Sequence, residues 1–341
     1  MIRLTWRQFR TQAWAAIAAL AAITITFAVT RPSLTRMYSA SGIAACQPRG
    51  DCGRLAATFI SHVRADGAYP ALYATGVIVI YLVPAIIGMF WGAPLITREL
   101  EDGTYRLAWT QSITRTRWLA VKLGLPGLTA MAITGLFSLI ITWWASPLDQ
   151  AAALGSPILG NRMTPLLFAG HGIVPIGYTA FAFVLGATTG AVTGRTVPAM
   201  AATIITFAAI QLAMPNFVRP YLIPAAHTTA AVSPGYANWV PHGNGLLITG
   251  RAAIPGAWVL STSGHTYTGP ATHILRTCYN GPTSTPACGT AFATLHPQLL
   301  LTYQPASRYW PLQWYETAIY LTTALTLTGI CFWWIGRRRL G

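Results

Sequence analysis

The chain has 341 residues, of which 53% are hydrophobic and only 9% are charged. Soluble domains usually carry about 25% charged residues, and seven acidic residues cannot cover the surface of a soluble globule of this size, so the composition argues against a water-soluble enzyme. The net charge of +15 comes from scattered arginines and one lysine, and the tight basic cluster at 337–339 directly follows an apolar run. That position is typical of a membrane-side anchor rather than of a nucleic-acid groove binder. We therefore expect an integral membrane protein that binds membrane lipid and no nucleic acid.

Six apolar runs along the chain predict spanning helices. In hydrocarbon every backbone amide must be paired within the protein, so an uncharged apolar run of about 20 residues predicts a helix that crosses the bilayer. Before the first run, basic and aromatic residues in the segment 1–12 predict a short helix in the headgroup layer. The expected fold class is an all-α polytopic membrane protein with six transmembrane helices. The predicted spans cover residues 14–29, 72–95, 123–145, 166–192, 198–214 and 317–335.

Lysine and arginine beside the spans predict the orientation. With the N-terminus in the cytoplasm, 12 of the 22 basic residues fall in the short cytoplasmic pieces, as the positive-inside rule requires. The loop 31–70 holds five arginines and would lie outside against that bias, but long loops count for less. We expect a multi-pass protein of the plasma membrane with both termini in the cytoplasm.

Two pairs of cysteines fall on the predicted outer side. Cys46 and Cys52 lie in the loop 31–70, just before a short helix expected near residues 54–63, and Cys278 and Cys288 lie further along the chain. Close pairs outside the cytoplasm predict local disulfides, and four unrelated free thiols are the alternative. Neither pair has the spacing of a zinc ribbon, so we expect no metal site.

The cytoplasmic connection between the second and third spans, residues 97–117, holds three of the seven acids within four residues. The sequence Asp102-Gly103-Thr104 predicts a turn followed by a new helix start. Residues 105–109 predict a short amphipathic helix, and Thr114 is placed to cap the third span. A short polar helix held by two membrane helices is suited to passing a push from a soluble partner into the spans. An ordinary solvated connector is the alternative.

Three polar residues lie in or beside the later spans. His171 and Gln211 fall in the fourth and fifth predicted spans, where polar side chains often line a pathway or pair across helices. For His171, placement at the membrane interface is equally open. Glu316 stands at the start of the last span, where it can pair with Arg308 or interact with the positive end of the helix dipole.

Residues 215–313 form the one sizeable region outside the predicted spans. They are rich in Thr, Ser, Gly and Pro, with short apolar runs between turn residues, which predicts a small, partly β extracellular domain. The expected organisation is a membrane domain over residues 1–214, this extracellular domain, and a last span with a basic tail over residues 314–341.

Motifs for chemistry are absent from the sequence. It holds no Gly-x-x-x-x-Gly-Lys-Ser/Thr loop for nucleotide phosphates and no His-Glu-x-x-His zinc motif, so we expect neither ATP hydrolysis nor zinc proteolysis by this chain. Between Asp149 and Glu316 there is no carboxylate at all. The sequence therefore predicts no enzyme activity, no catalytic residue and no cofactor of its own.

The connection 97–117 resembles the inner loop of permease subunits of ABC transporters of the type-2 exporter class. In that family the loop commonly runs Arg-Glu-x-Glu-x-Gly-Thr, then a Thr-Pro-Ser-like turn, then an Arg-rich start of the third span with a lysine. This chain has Arg-Glu-Leu-Glu-Asp-Gly-Thr at 98–104, Thr-Gln-Ser at 110–112, and then Arg115, Arg117 and Lys122. Gln111 replaces the usual proline. The segment 304–313, which leads to Glu316, resembles the corresponding sequence in an actinobacterial-type subgroup of this family.

The resemblance implies a membrane subunit that engages a separately encoded ABC ATPase and a second permease subunit, in a homodimer or a heterodimer; we expect a second copy of this chain. ATP and Mg would be bound by the ATPase, and its closure would switch the pathway between inward and outward access. The ATPase-coupling residues implied by the resemblance are Arg98, Glu99, Glu101, Asp102, Gly103, Thr104 and Trp109.

Two other classes of function remain open at this point. A membrane-embedded enzyme acting on lipid would need a cluster of His, Asp, Glu or Ser facing a cavity, and the chain offers few carboxylates to build one. An accessory or receptor protein would bind a ligand through residues 215–313.

Overall fold

The computed structural model describes residues 2–47, 51–103, 114–155, 158–231, 237–242, 245–250, 254–269, 272, 288, 290, 293–294 and 296–337. The chain divides into two compact units. A helical unit combines Met1–Leu222 with Tyr309–Gly341, and a second unit comprises Ile223–Arg308.

The helical unit holds nine α-helices in its described part. A π turn at Gly88–Gly92 joins the third helix to the fourth, and a π turn at Met214–Val218 with a 3₁₀ turn at Arg219–Tyr221 extends the eighth. The helices are α1 (Ile2–Ala40), α2 (Cys52–Asp66), α3 (Ala68–Ile87), α4 (Ala93–Glu101), α5 (Arg115–Ala153), α6 (Pro165–Phe168), α7 (Val174–Thr193), α8 (Thr196–Ala213) and α9 (Tyr309–Arg337).

Within the described residues, six helical segments are long and apolar enough to cross a membrane, which confirms the expected fold class. Each contains or overlaps one predicted span, and most extend beyond it because polar residues at both ends continue the helix. The first begins at Arg10, eight residues after the start of α1, so the helix of the N-terminal segment runs into this span without interruption. The six segments are Arg10–Ala40, Ala68–Glu101, Thr116–Ala153, Val174–Thr193, Thr196–Tyr221 and Ala306–Arg337.

The fourth span is shorter than its apolar run predicts. The run begins at Leu166, but the chain forms only the short helix α6 there, leaves the helical path, and starts α7 at Val174. Gly172 in this break has φ +89°, a conformation that favours glycine over residues with a side chain. Pro175 then stands in the first turn of α7, where its missing N–H removes no helical hydrogen bond.

Helix α7 lies at the centre of the helical unit. Fifteen of its 20 residues are buried, and it packs against α3, α4, α5, α8 and α9. Glycines allow the closest of these contacts: a Cβ on Gly186 would lie 2.1 Å from the carbonyl oxygen of Gly88, and one on Gly92 would lie 2.3 Å from that of Phe183. Small residues that let two backbones touch are typical of helix pairs within membranes.

A second packing centre forms around Trp144 of α5. Its indole is fully buried, contacts Phe27 of α1 and Tyr69 and Tyr73 of α3, and donates a 3.0 Å hydrogen bond to Thr30 Oγ1. Helix α2 covers the same core with Ala56, Phe59, Ile60 and Val63. The short helix expected near residues 54–63 is therefore present over Cys52–Asp66.

The second unit contains two three-stranded sheets in its described residues, which confirms the partly β character expected of residues 215–313. One sheet has the antiparallel order β1-β6-β4, and the other has the antiparallel order β2-β3-β5. Alternate residues of β6 (Leu299 and Leu301) and of β3 (Leu246 and Ile248) are buried, as strands with one covered face require. The strands are β1 (Ala226–Ala231), β2 (Ala237–His242), β3 (Gly245–Gly250), β4 (Trp258–Ser263), β5 (His265–Tyr267) and β6 (Gln298–Gln304).

Candidate functional site

The end of α4 carries the first half of the predicted coupling motif. Ile96 and Thr97 are buried, whereas Arg98 and Glu101 are exposed. The helix ends at Glu101, Asp102 is its C-cap, and Gly103 follows with φ +67°, the left-handed conformation in which glycine commonly ends a helix. The chain thus turns at Asp102 and Gly103, as the sequence predicts. Thr104, Trp109 and the helix expected at 105–109 lie outside the described residues.

Glu99 forms an ion pair with the only lysine of the chain. Its Oε1 accepts a hydrogen bond from Lys122 Nζ on the second turn of α5, and both side chains are largely buried. The Lys122 ammonium also lies 5.0 Å from the ring centroid of Trp118, a cation–π contact. Glu99 therefore fixes the end of α4 to the start of α5, and its carboxylate already has a partner within the chain.

Glu101 reaches a different span. Its Oε1 accepts a 2.8 Å hydrogen bond from Thr196 N, and its Oε2 accepts a 2.7 Å bond from Thr196 Oγ1. Thr196 is the first residue of α8, and the N-cap residue Arg195 gives no side-chain cap. The first N–H groups of a helix have no partner within the helix and attract negative charge, so the Glu101 carboxylate serves as the cap of α8.

Threonine hydroxyl groups add further contacts between the ends of α4 and α8. Thr97 Oγ1, fully buried, lies 2.9 Å from Thr196 Oγ1 and donates to the carbonyl of Ala93. On the neighbouring helix, Thr114 accepts a hydrogen bond from Arg117 N and caps α5, as the sequence predicts. The end of α4 is thus joined to the start of α5 and to the start of α8 by side chains of these three helices. We call the group Thr97, Glu99, Glu101, Lys122 and Thr196 the coupling junction.

At the other end of α7, Glu316 forms a buried ion pair with Arg219. Arg219 Nε donates to Oε2 at 2.7 Å and its Nη2 donates to Oε1 at 3.0 Å, which is the two-pronged geometry that guanidinium and carboxylate favour. Tyr178 on α7 donates to the same carboxylate at 2.6 Å. Arg219 also donates to the carbonyl of Pro165, and its guanidinium lies 4.1 Å from the Phe168 ring.

This geometry corrects the expectation for Glu316. The sequence offered Arg308 as partner, but Arg308 donates to the carbonyl of Pro224 and to Gln304 Oε1. Helix α9 begins at Tyr309, earlier than the apolar run predicts. Glu316 is therefore seven residues inside the helix and not at its start. Arg219 was not predicted as a site residue from the sequence. The sequence does contain a signal for such a partner. Glu316 is the sole acid after Asp149, and a buried Glu316 needs a basic residue from another segment.

His171 lies in the break before α7 and is buried. Its Nε2 stands 3.6 Å from Asp149 Oδ2 near the end of α5, and its backbone carbonyl accepts hydrogen bonds from Tyr309 and Gln313 of α9. Tyr73 packs against the imidazole with ring centroids 5.9 Å apart. His171 is thus a packed part of the break rather than an exposed side chain.

Gln313 holds the break in place. Its Oε1 accepts from the backbone N–H groups of Ile173 and Val174 at 3.0 Å, and its Nε2 donates to the carbonyls of Phe168 and His171. One side chain thereby satisfies four backbone groups that the interrupted helix leaves without partners, which a buried backbone requires. Sequence reasoning missed Gln313, although a glutamine in the apolar approach to a span is a recognisable signal.

Gln211, the third intramembrane candidate, lies on α8. Its Oε1 accepts a 3.3 Å hydrogen bond from Tyr320 of α9. Among the described residues, no hydrogen bond or ion pair joins Gln211 to His171 or to Glu316, so these contacts do not link the three candidates into one site.

The described residues contain four cysteines: the pair Cys46 and Cys52, the disulfide-bonded Cys288 and the free thiol Cys331. Cys46 and Cys52 are joined by a disulfide between the end of the first span and α2. Cys288 is described and buried, but Cys278 lies outside the described residues, so the second pair stays a prediction. Cys331 is free and buried in α9. Among the described residues no group of three His, Cys, Asp or Glu is placed to hold a metal ion.

Comparison with known proteins gives one match. The searches of curated proteins and of solved structures returned none. The profile of the family described as ABC-2 membrane transporter related matches residues 17–219, which is more than half of the chain. The match begins within the first span, ends two residues before the end of the fifth, and includes the residues of the coupling junction. The chain therefore belongs to the ABC-2 membrane transporter related family.

Proposed function

We propose that this chain is the permease subunit of an ATP-driven ABC exporter and works with a separately encoded ATPase that binds ATP and Mg. The observation that carries the proposal is the coupling junction. There the end of α4 contacts the starts of α5 and α8, and the sequence that links α4 to α5 resembles the ATPase-contacting loop of the family. A partner that moves this segment would act on α4, α5 and α8 together.

The junction also divides the predicted coupling residues into two roles. Glu99 and Glu101 are engaged within the chain, by Lys122 and Thr196. Arg98 and Asp102 are exposed on the same helix end and carry charges that a soluble partner can pair. We assign contact with the ATPase to Arg98, Asp102 and the segment 104–113, and assign transmission to Glu99 and Glu101.

In the proposed orientation the coupling junction faces the cytoplasm, as do both termini, and the chain resides in the plasma membrane. The Cys46–Cys52 disulfide lies at the opposite end of the first span from the N-terminus, and disulfides persist outside the cytoplasm, which supports this orientation. A second copy of the permease would complete the transporter. Large apolar side chains along α8, among them Ile205, Leu212 and Phe217, are exposed in the single chain and would be covered by lipid or by that copy.

Co-purification with an ABC ATPase encoded beside this gene tests the proposal. We expect the chain, reconstituted in nanodiscs, to bind the ATPase and to change its rate of ATP hydrolysis. Asp102→Arg should weaken this binding at least tenfold, whereas Arg36→Glu, an exposed arginine towards the other end of the first span, should leave it unchanged. Failure of the native chain to recruit an ATPase would refute the proposal.

Transport and topology give two further readouts. The double variant Glu99→Ala with Glu101→Ala should abolish ATP-driven transport, since it releases both acids of the junction; intact transport would count against the assignment. A single cysteine placed at exposed Asp102 should react with a membrane-impermeant thiol reagent only after cells are opened. Labelling in intact cells would place this loop outside and contradict the orientation.

A further inference from the structure

Helix α8 is held at both ends by carboxylates from other spans. At its first residue, Thr196, the backbone N–H and the hydroxyl both donate to Glu101 of α4. At its far end, the 3₁₀ turn that closes the segment Thr196–Tyr221 carries Arg219, which is paired with Glu316 of α9. The two contacts lie within one continuous helical segment of 26 residues, and Thr196 and Arg219 are about 35 Å apart along it at the rise of an α-helix.

Between these ends α8 is loosely packed. Its buried residues are Ala199, Thr203 and Phe207, and its side-chain contacts along the way include the Phe207–Phe181 ring pair, the Thr203–Thr189 pair at 2.9 Å and the Gln211–Tyr320 bond. Few of its residues are buried in the single chain, whereas most of those of α7 are. A helix with few interlocking contacts can shift along its axis while its own hydrogen bonds keep its length.

Helix α7 also extends from the coupling junction towards the Arg219–Glu316 pair, but it is packed too tightly to be displaced easily. It is buried on nearly all sides and touches the Gly88–Gly92 turn at backbone contact distance. Interiors packed in this way deform little, so a displacement of α7 would disturb five neighbouring helices at once. A displacement at the coupling junction therefore costs less when it moves α8 than when it moves α7.

We infer that α8 carries movement of the α4 end to the Arg219–Glu316 pair, and that Glu101 and Thr196 are the positioning residues that connect α8 to α4. The inference rests on the proposed function for the source of the movement. A push on the segment 104–113 moves Glu101, the cap moves Thr196, and the far end of α8 changes its position relative to α9. The movement of α8 thus reaches the far end of the membrane domain at the Arg219–Glu316 pair.

Distances between spin labels at the far end test this. Phe217 and Trp314 are exposed residues near Arg219 and Glu316 in sequence, and cysteines at these two positions can be labelled in a Cys331→Ala background. In the complex with the ATPase, we expect ATP to shift the distance between the labels by about 2 Å, the size of helix shifts in switching proteins. Glu101→Ala and Thr196→Pro should abolish this shift.

The variants distinguish loss of the Glu101–Thr196 contact from loss of folding. Proline suits the first position of a helix, so Thr196→Pro keeps the start of α8 while it removes both groups that donate to Glu101. Glu101→Gln keeps an acceptor oxygen for the Thr196 N–H and should retain the shift. Thr193→Ala removes a neighbouring exposed threonine that does not contact Glu101 and should also retain it.

A second arm uses the chain alone in nanodiscs and needs no ATPase. There Glu101→Ala and Thr196→Pro should broaden the distribution of distances between the labels relative to the native chain and to Thr193→Ala. If the native complex binds and stimulates the ATPase but ATP causes no far-end shift, or if the shift survives in both disconnecting variants, the role of α8 is refuted. If no ATPase binds, the proposed function fails, and an unchanged distribution in the chain alone refutes the role of α8 independently.

Discussion

Arg219 and Glu316 face each other in the interior of the helical unit, with side chains that are 1% and 0% exposed. They come from segments 97 residues apart and join the end of α8 to the second turn of α9. Tyr178 adds a third helix to the contact. A buried pair of this kind is costly to assemble, because both charges lose their hydration, but each charge is far more costly to leave alone.

We predict that Arg219→Leu destabilises the chain by about 3–5 kcal/mol, because it leaves the Glu316 carboxylate buried without its cation. Glu316→Leu should do the same for the guanidinium. The double variant Arg219→Leu with Glu316→Leu should recover most of the loss, since an apolar pair of similar volume replaces both charges. Unfolding can be followed through the reaction of the buried, free Cys331 with a fluorescent maleimide.

The control for this series is Arg195→Leu, which removes an exposed arginine next to the other end of α8 and should leave unfolding almost unchanged. A loss in the double variant equal to the sum of the two single losses would show that the charges do not act as a pair. In that case the stabilisation by Arg219 would come from its contacts with Pro165 and Phe168 instead.

The features that could be predicted from the sequence are those set by neighbouring residues along the chain. Apolar runs predicted six spans, Thr114 predicted a helix cap, and Gly103 predicted the end of α4, because each of these signals acts within a few residues of itself. Glu99 and Glu101 were singled out as a pair in one motif. Their separate partners, Lys122 and Thr196, were not predicted, since a side chain's neighbours across a bundle depend on how the helices rotate and cross.

The break before α7 shows the same limit. Hydropathy over Leu166–Val192 is continuous, so the sequence predicted one long helix. The structure instead interrupts the helix and satisfies its free backbone groups with Gln313, which lies about 140 residues further along the chain. Hydropathy measures whether a segment can enter hydrocarbon, whereas the hydrogen-bond partners of an irregular segment come from the tertiary fold.

The Lys122–Glu99 pair gives a second prediction. Lys122→Met should lower the stability of the chain and its yield in the membrane, because it leaves Glu99 partly buried without a cation. Adding Glu99→Gln should restore stability by removing the unpaired charge. The measurement is the same maleimide assay together with the yield of monodisperse protein after extraction.

Transport should separate from stability in this pair. If Glu99 transmits movement through Lys122, the double variant Lys122→Met with Glu99→Gln should fold as well as the native chain but transport more slowly. Native transport rates in the restored double variant would limit the pair to a structural role. Lys122→Arg, which keeps the positive charge, should stay closer to the native chain than Lys122→Met in both measurements.

A third prediction concerns the contact between α7 and the Gly88–Gly92 turn. Gly186→Ala should destabilise the chain by about 1–3 kcal/mol, the usual cost of inserting a carbon into a packed interior. The added Cβ would stand 2.1 Å from the carbonyl oxygen of Gly88, and backbone cannot rotate away as a side chain can. Gly329→Ala is the matched control, because a Cβ there meets nothing within 4 Å; it should be neutral or stabilising by about 0.5–1 kcal/mol.

The fourth prediction concerns Gln313. Gln313→Leu has a similar size but removes the acceptor of the Ile173 and Val174 N–H groups and the Gln313 donor to the Phe168 carbonyl. The His171 carbonyl also loses its bond from Gln313 but keeps the one from Tyr309. Each buried group left unsatisfied costs about 1–3 kcal/mol, so we expect a loss larger than that of Gly186→Ala. Thr322→Leu, an exposed position on the same helix, should cause no loss. Hydrogen exchange should also accelerate at Ile173 and Val174 in Gln313→Leu, because the acceptor for both N–H groups is gone; unchanged exchange there would show that the break holds its shape without Gln313.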